Sequence, residues 1–242
     1  MPDKTFPNPI KADPSTFSFR EGEGVFDLAV ENEKDRIFFD KNTGEKFYKI
    51  DPDKVKFQKL TSLILKGIIN VSDVVKVGND YYSHIQNLDN LSEREDLVAE
   101  IKADILIFSL VFGDYDHVYH ETSEDNSTTE HKNLITQEKL KKYYFFNFDK
   151  AFMWRGEDLN FGQLKFFFES SLKQKEITSL TLNILTKKVK LLSNLFVAQQ
   201  FEWFQKIIHR SSVGLSDGSQ KFLFADIKLR LRALNEALSD VK

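Results

Sequence analysis

The chain contains no cysteine. Disulfide frameworks, thiolate catalysis and zinc–thiolate sites are therefore excluded, and a reducing, cytosol-like setting is the default expectation. No window approaches the roughly eighteen consecutive apolar residues of a spanning helix, so no transmembrane segment is expected. Net charge of either sign is also scarce: 34 Lys and Arg against 37 Asp and Glu leave a formal charge of −3. That balance gives no global argument for nucleic acid or an anionic membrane as partner. The opening stretch, "MPDKTFPNPIKADPSTF", is polar and broken by prolines, so it reads as neither a signal peptide nor an anchor. Two locations follow from these absences: the cytoplasm, or export without a cleavable signal peptide.

What is present is a globular composition. In 242 residues, 41% are apolar and 29% charged, enough for one large domain or two small ones with a sizeable core. The 23 phenylalanines point to a phenylalanine-rich core or to a genomic bias.

Residues 1–16 read as an extended arm. From Phe17 to Ile50 the texture is that of a small antiparallel sheet of about three strands. "FSFREGEGVFDLAV" alternates, and "DRIFFD" and "EKFYKI" flank the hairpin turn "KNTG". Residues 53–69 carry Val55, Leu60, Leu63, Ile64 and Ile68 at near-helical spacing. Two short strands follow, "DVVKVG" and "DYYSHIQ". Ser92 and Glu95 form a capping box that opens a helix through Leu97, Val98, Ile101, Ile105, Phe108 and Phe112, ending at Gly113. A polar loop, "ETSEDNSTTEHKN", separates this helix from an aromatic strand around Tyr143–Phe148. Only helices are expected beyond Asn160, at 161–173, 176–209 with a break, and 220–239. Trp154 and Trp203 read as core. The order is α+β: a β-rich part with one helix and two connecting strands at 17–90, then a helical part at 91–242.

The chemistry concentrates in two stretches, "GDYDHVYHET" at 113–122 and "FFNFDKAF" at 145–152. An acid inside a nearly all-aromatic strand needs compensation, because desolvating a carboxylate costs several kcal/mol. A metal held by both stretches would supply it. Phosphoryl transfer needs a carboxylate to orient the acceptor, oxygen ligands for Mg²⁺ or Mn²⁺, and a cation on the phosphates. In protein kinases the base precedes a metal ligand by five residues, in a loop after a helix, and a second ligand follows a later strand. With Asp114 as base, the fifth residue on is Tyr119, a poor ligand. With Asp116 it is Glu121, a hard oxygen donor, and Asp149 takes the later position.

On these residues the chain resembles the Golgi casein kinase family of atypical secretory kinases. There a Gly-Asn-x-Asp core is followed at the same spacing by Glu-Thr, as Gly113-Asp114-Tyr115-Asp116 is followed here by Glu121-Thr122. HipA-type, CotH-type and phosphatidylinositol kinases are more distant likenesses. The match covers the two motifs and the element order, about residues 20–155. Asp114 and His117 stand where that family has Asn and Arg, and Asn147 replaces the first acid of the Asp-x-Asp found in some relatives.

The resemblance implies a two-lobed, protein-kinase-like fold with catalytic loop 113–122 and metal-binding strand end 145–152. It implies ATP with Mg²⁺ or Mn²⁺, Asp116 as catalytic base, and Asp149 and Glu121 as metal ligands with Asn147 beside them. Lys49 would contact the phosphates, and Gly22 and Gly24 would form a reduced phosphate-covering loop. The implied activity is transfer of the γ-phosphate to a hydroxyl acceptor, first a protein Ser/Thr and second a hydroxylated small molecule such as a phosphoinositide. A pseudokinase-type binding module and an AMP transferase are the alternatives on the same fold. A lysine such as Lys49 would pair with a Glu on the next helix; residues 54–69 hold none, and Gln58 is the polar side chain of similar length. Asp114, His117 and His120 read as supporting groups, the histidines hydrogen-bonding or, in the sharper reading, metal-ligating. Lys139, Lys141, Lys142, Lys187, Lys188 and Lys190 form two basic clusters. They read as solvated faces or as contacts for a polyanionic activator.

Overall fold

The structure is a computed structural model and describes residues 28–32, 36–72, 74–85, 95–114, 134–137, 142–145, 148, 151–152, 159–174, 177–198, 201–211 and 214–241. Among them the class is α+β: a small antiparallel sheet followed by a mostly helical remainder.

Five strands make the sheet: β1 (Leu28–Asn32), β2 (Ile37–Asp40), β3 (Lys46–Lys49), β4 (Val74–Val77) and β5 (Asp80–Ile85). Their order is β1-β2-β3-β5-β4, every pairing antiparallel. The two strands read as a connection are therefore part of the same sheet, with β5 docked directly on β3. Asp40 closes the β2–β3 hairpin by accepting from the Asn42 amide at 3.2 Å and the Thr43 hydroxyl at 2.9 Å. Gly44 completes that turn at φ 71°, a conformation that suits a residue without Cβ.

Strand alternation splits the sheet's residues between two faces. One face gathers Phe47, Val75 and Tyr82 with Leu28, Phe38 and Val77. The other gathers Ile50, Val74 and Tyr81, and is joined by Val55, the first residue of α1 (Val55–Leu65). Beyond Val55, the apolar residues of α1 turn away from the sheet. Leu60, Leu63, Ile64 and Leu65 belong to the main core, and α1 packs against α5 (Phe201–Ser211).

That main core is built around α2 (Glu95–Val111), which is apolar on nearly every side and buried accordingly. Its proposed Ser92 cap lies outside the described residues. A second, two-stranded sheet pairs β6 (Leu134–Gln137) with β7 (Lys142–Phe145). β6 was not anticipated: its two apolar residues sit at the end of a polar run. β7 continues against the chain after α1, where Ser72 donates to the Phe145 carbonyl and the Phe145 amide to Asn70.

The remaining helices are α3 (Phe161–Gln174), α4 (Ser179–Ala198), α5 and α6 (Asp217–Asp240). The break expected within 176–209 falls between α4 and α5. Asn160 and Gln163 cap α3 reciprocally, each amide donating to the other's side chain, and Ser216 accepts from the Ser219 amide at the start of α6. α6 packs on α3 and α4, so the helical tail is part of the core. Trp203 is buried there, as expected. None of the described helices is long and apolar enough to cross a membrane.

α2 carries one charge inside its apolar surface. Asp104 is fully buried, and Lys188 from α4, itself 2% exposed, donates to it at 2.7 Å and to Glu100 at 3.0 Å. This corrects the reading of Lys188 as a surface cation: its neighbours Lys187 and Lys190 are exposed, whereas Lys188 turns inward. Burial pulls the Lys188 pKa down, but the charges of Asp104 and then Glu100 outweigh it and hold the ammonium above its ordinary range. Its stabilisation is thus complete below the unfolded value of about 10.4 and is lost as pH rises through the higher folded value. Lys188→Met should cost about 3–5 kcal/mol by chemical denaturation, because Asp104 is left buried without its cation. The double variant Lys188→Met/Asp104→Leu should recover most of that loss. A single variant as stable as wild type would show that the pair carries no such weight.

Candidate functional site

The apolar run of α2 stops where the first motif begins. Gly113 takes φ 67°, a left-handed terminator that reverses the chain, and the Asp114 amide folds back onto the Phe108 carbonyl at 3.0 Å. Asp114 follows immediately and is fully buried. From α6, the buried Arg230 extends a guanidinium to the Leu110 carbonyl at 3.5 Å while its Nε is held by Asp226 at 2.8 Å. A cation there faces the end of a helix whose last carbonyls lack intrahelical partners.

The second motif arrives at the same place. Phe108 meets Phe145 and Phe148 edge-on, with ring centroids 4.7 and 5.1 Å apart. Beyond Phe148, the Phe152 amide donates to the Phe112 carbonyl at 2.6 Å, and the two rings pack at 5.9 Å. Phe152 adopts φ 65°, an outlier for a bulky side chain that costs about 1–2 kcal/mol. That bond, the Phe112 ring and the Phe57 ring at 6.2 Å hold it there. The stretch that ends α2 and the stretch that follows β7 are thus bound to each other at Phe112 and Phe152.

α1 contributes the third tie. The Phe148 amide donates to Oε1 of Gln58, whose side chain is completely buried. Nε2 of the same carboxamide has no hydrogen-bond partner, a deficit worth about 1–3 kcal/mol for a buried donor. Gln58 therefore does not pair with Lys49. Lys49 sits on β3 on the same face as Phe47, opposite the face that Val55 of α1 joins. Its Nζ binds Asp80 of β5 at 2.8 Å. The hydrogen bond it donates to Asp80, opposed by partial desolvation, holds the lysine above its ordinary pKa.

Several proposed residues lie outside the described ones: Asp116, His117, His120, Glu121, Asn147, Asp149, Gly22, Gly24, Lys139 and Lys141. Lys142 is described by its backbone in β7. Glu121, Asp149 and Asn147 offer hard oxygens that suit Mg²⁺ or Mn²⁺. Among the described residues, no group of three His, Cys, Asp or Glu is arranged to hold a metal.

Reading by motif missed four features near the site. Asp80 as the partner of Lys49 and Arg230 as a cap on α2 carry no local signature. Lys59, buried on α1 with Nζ 4.3 Å from the centre of the Tyr81 ring, looks in sequence like any helix-surface lysine. The contact of Gln58 with Phe148 spans ninety residues. No family model, curated protein or solved structure matches the chain.

The Lys49–Asp80 pair is about a third exposed at both ends. Lys49→Ala and Asp80→Asn should therefore each change stability by no more than about 1 kcal/mol in urea denaturation. The pair's contribution is present below about pH 10.4 and fades as pH rises through the raised Lys49 value. A loss of several kcal/mol from either variant would assign the pair a structural role instead.

Proposed function

We propose that the chain is a metal-dependent phosphotransferase of the two-lobed, protein-kinase-like class, moving the γ-phosphoryl group of ATP to a hydroxyl acceptor, first a protein Ser or Thr. The observation that carries the reading is the junction of Phe112 with Phe152, because it ties together the two stretches that hold the candidate acids. The element order supports it as well. Lysine on the third strand, a helix between β3 and β4, a buried apolar helix before the first motif and a strand before the second are the parts this chemistry uses.

In this reading Asp116 orients the acceptor hydroxyl and receives its proton as the oxygen attacks the γ-phosphorus. The bond to the β-phosphate oxygen breaks and ADP leaves. Glu121 and Asp149, with Asn147, would hold the divalent cation, which would supply positive charge to offset that developing on the transferred group. Asp114, buried at the end of α2, fixes where that loop starts. Lys49 is the cation assigned to the phosphates, kept charged by Asp80.

A second reading, a nucleotide-binding module without transfer, is favoured by one contact. Lys49 lies on the sheet face opposite α1 and is held by Asp80, so it has no acid of that helix as a partner.

Parallel incubations with ATP labelled at the α- or the γ-phosphate, Mn²⁺ or Mg²⁺ and a generic protein acceptor separate these readings. Wild type is expected to transfer the γ-label, and Asp116→Ala to lose about 10²- to 10⁴-fold of that rate. Transfer of the α-label would indicate AMP transfer. Label transfer that survives Asp116→Ala would move the base assignment to Asp114. Nucleotide binding without transfer would establish the second reading.

A further inference from the structure

The stretch that carries the second motif is held at three points of its backbone. Phe145 is tied to the chain after α1: its amide donates to the Asn70 carbonyl and its carbonyl accepts from the Ser72 amide. The Phe148 amide donates to Oε1 of Gln58, and the Phe152 amide donates to the Phe112 carbonyl. Among these contacts Gln58 alone acts through its side chain, so it alone depends on residue type. A backbone N–H is met only by an acceptor, which fixes the orientation of the carboxamide. Nε2 is thereby left buried without a hydrogen-bond partner, a deficit that Met or Leu at the same place avoids. Packing and stability alone therefore do not account for a glutamine here. What it supplies, and an apolar residue of its size does not, is the acceptor for Phe148. Asp149 comes next in the chain, and a trans peptide holds consecutive Cα atoms about 3.8 Å apart. Whatever fixes Phe148 thus fixes where the chain enters that acid.

We propose that Gln58 is a positioning residue for the candidate metal-binding acid: its carboxamide fixes the backbone at Phe148, and with it the point from which Asp149 reaches the cation. The inference rests on the metal-dependent reading given above, and it assigns Gln58 no contact with nucleotide or metal. Burial suits this role, because a hydrogen bond shielded from water keeps its strength and its direction. Groups that touch no metal but orient its ligands change the metal's affinity. The anchor is itself fixed, since α1 packs on α5 and contributes Leu60, Leu63 and Ile64 to the main core.

The test uses the full chain as wild type, Gln58→Met and Gln58→Glu, each under conditions in which urea denaturation shows it to be folded. Gln58→Met keeps the volume and removes the acceptor. Gln58→Glu keeps an acceptor oxygen and removes the amide donor. Exchange of the Phe148 amide is followed by NMR in the metal-free protein. The half-saturating Mn²⁺ concentration is then measured in the presence of ADP by electron paramagnetic resonance, and for γ-label transfer from ATP. In Gln58→Met the Phe148 amide should exchange about tenfold faster or more. Half-saturating Mn²⁺ should rise roughly 10- to 100-fold in the same variant. Gln58→Glu should stay close to wild type in both. A merely structural role lowers the folded fraction and leaves the Mn²⁺ dependence of the folded protein unchanged. If Gln58→Glu does not fold, Gln58→Met decides alone.

Wild-type Mn²⁺ dependence in folded Gln58→Met overturns the inference, even where that variant is less stable, and leaves the reading of function intact. Equal losses in Gln58→Met and Gln58→Glu also overturn it, since the acceptor is then not what matters. The expected order of Mn²⁺ binding in a chain that transfers no label upholds the inference under the second reading. A wild type that neither binds Mn²⁺ nor transfers label overturns both.

Discussion

The Phe112 carbonyl accepts one hydrogen bond from the Phe152 amide, and the arrangement of the candidate site depends on it. That bond helps to hold Phe152 in a left-handed backbone that its side chain disfavours. Ring contacts add to the tie between this segment and α2. Aromatic pairs contribute about 0.5–1.5 kcal/mol each beyond their buried area and tolerate some sliding. A short backbone hydrogen bond is directional and fixes register. The phenylalanines supply cohesion, and the backbone contact supplies position. This gives the surplus of phenylalanine a structural use, since Phe108, Phe112, Phe145 and Phe148 are among the largest fully buried side chains and all lie at this junction.

A core this apolar makes every buried charge conspicuous, and Asp104 and Arg230 each meet a group on a distant element. Asp104 would be intolerable on α2 without Lys188 from α4, and Arg230 lies between Asp226 and the α2 terminus. These contacts fasten α4 and α6 to the helix that delivers the first motif. Nonspecific apolar packing would let those helices rotate or shift by a turn with little change in buried area. An ion pair that must be satisfied allows one rotation and one height. The helical tail therefore fixes the axial position of α2, and through Gly113 the point at which the candidate loop begins.

Much of this was legible in the sequence where a pattern is local. The hairpin at Lys41–Gly44, the helix through Phe108 to Gly113 and the break between α4 and α5 all follow from turn residues and apolar spacing. Nothing local shows that β5 docks on β3, because strand neighbours are chosen by register and burial across the whole sheet. Lys188 reads as part of a basic run, since three lysines in four residues look solvated until Asp104 is known to face one of them. A reader could have found it from the other side: an aspartate within "IKADILIFSLVF" interrupts a helix that is otherwise buried, and such an acid must find a cation. The pairing of Gln58 with Phe148 had no comparable signal, since each residue is ordinary in its own segment.

The placement of α1 separates the candidate site into two independently supported parts. Lys49 is positioned by the small cluster of Phe47, Val75 and Tyr82, whereas Gln58, Asp114 and Phe148 are positioned by the main core. α1 touches the helical core through Leu60, Leu63 and Ile64 and, through Val55 and Lys59, the face of the sheet opposite that cluster. Most of its buried apolar surface lies on the helical side. The position of Gln58 beside Phe148 is thus a property of the helical core.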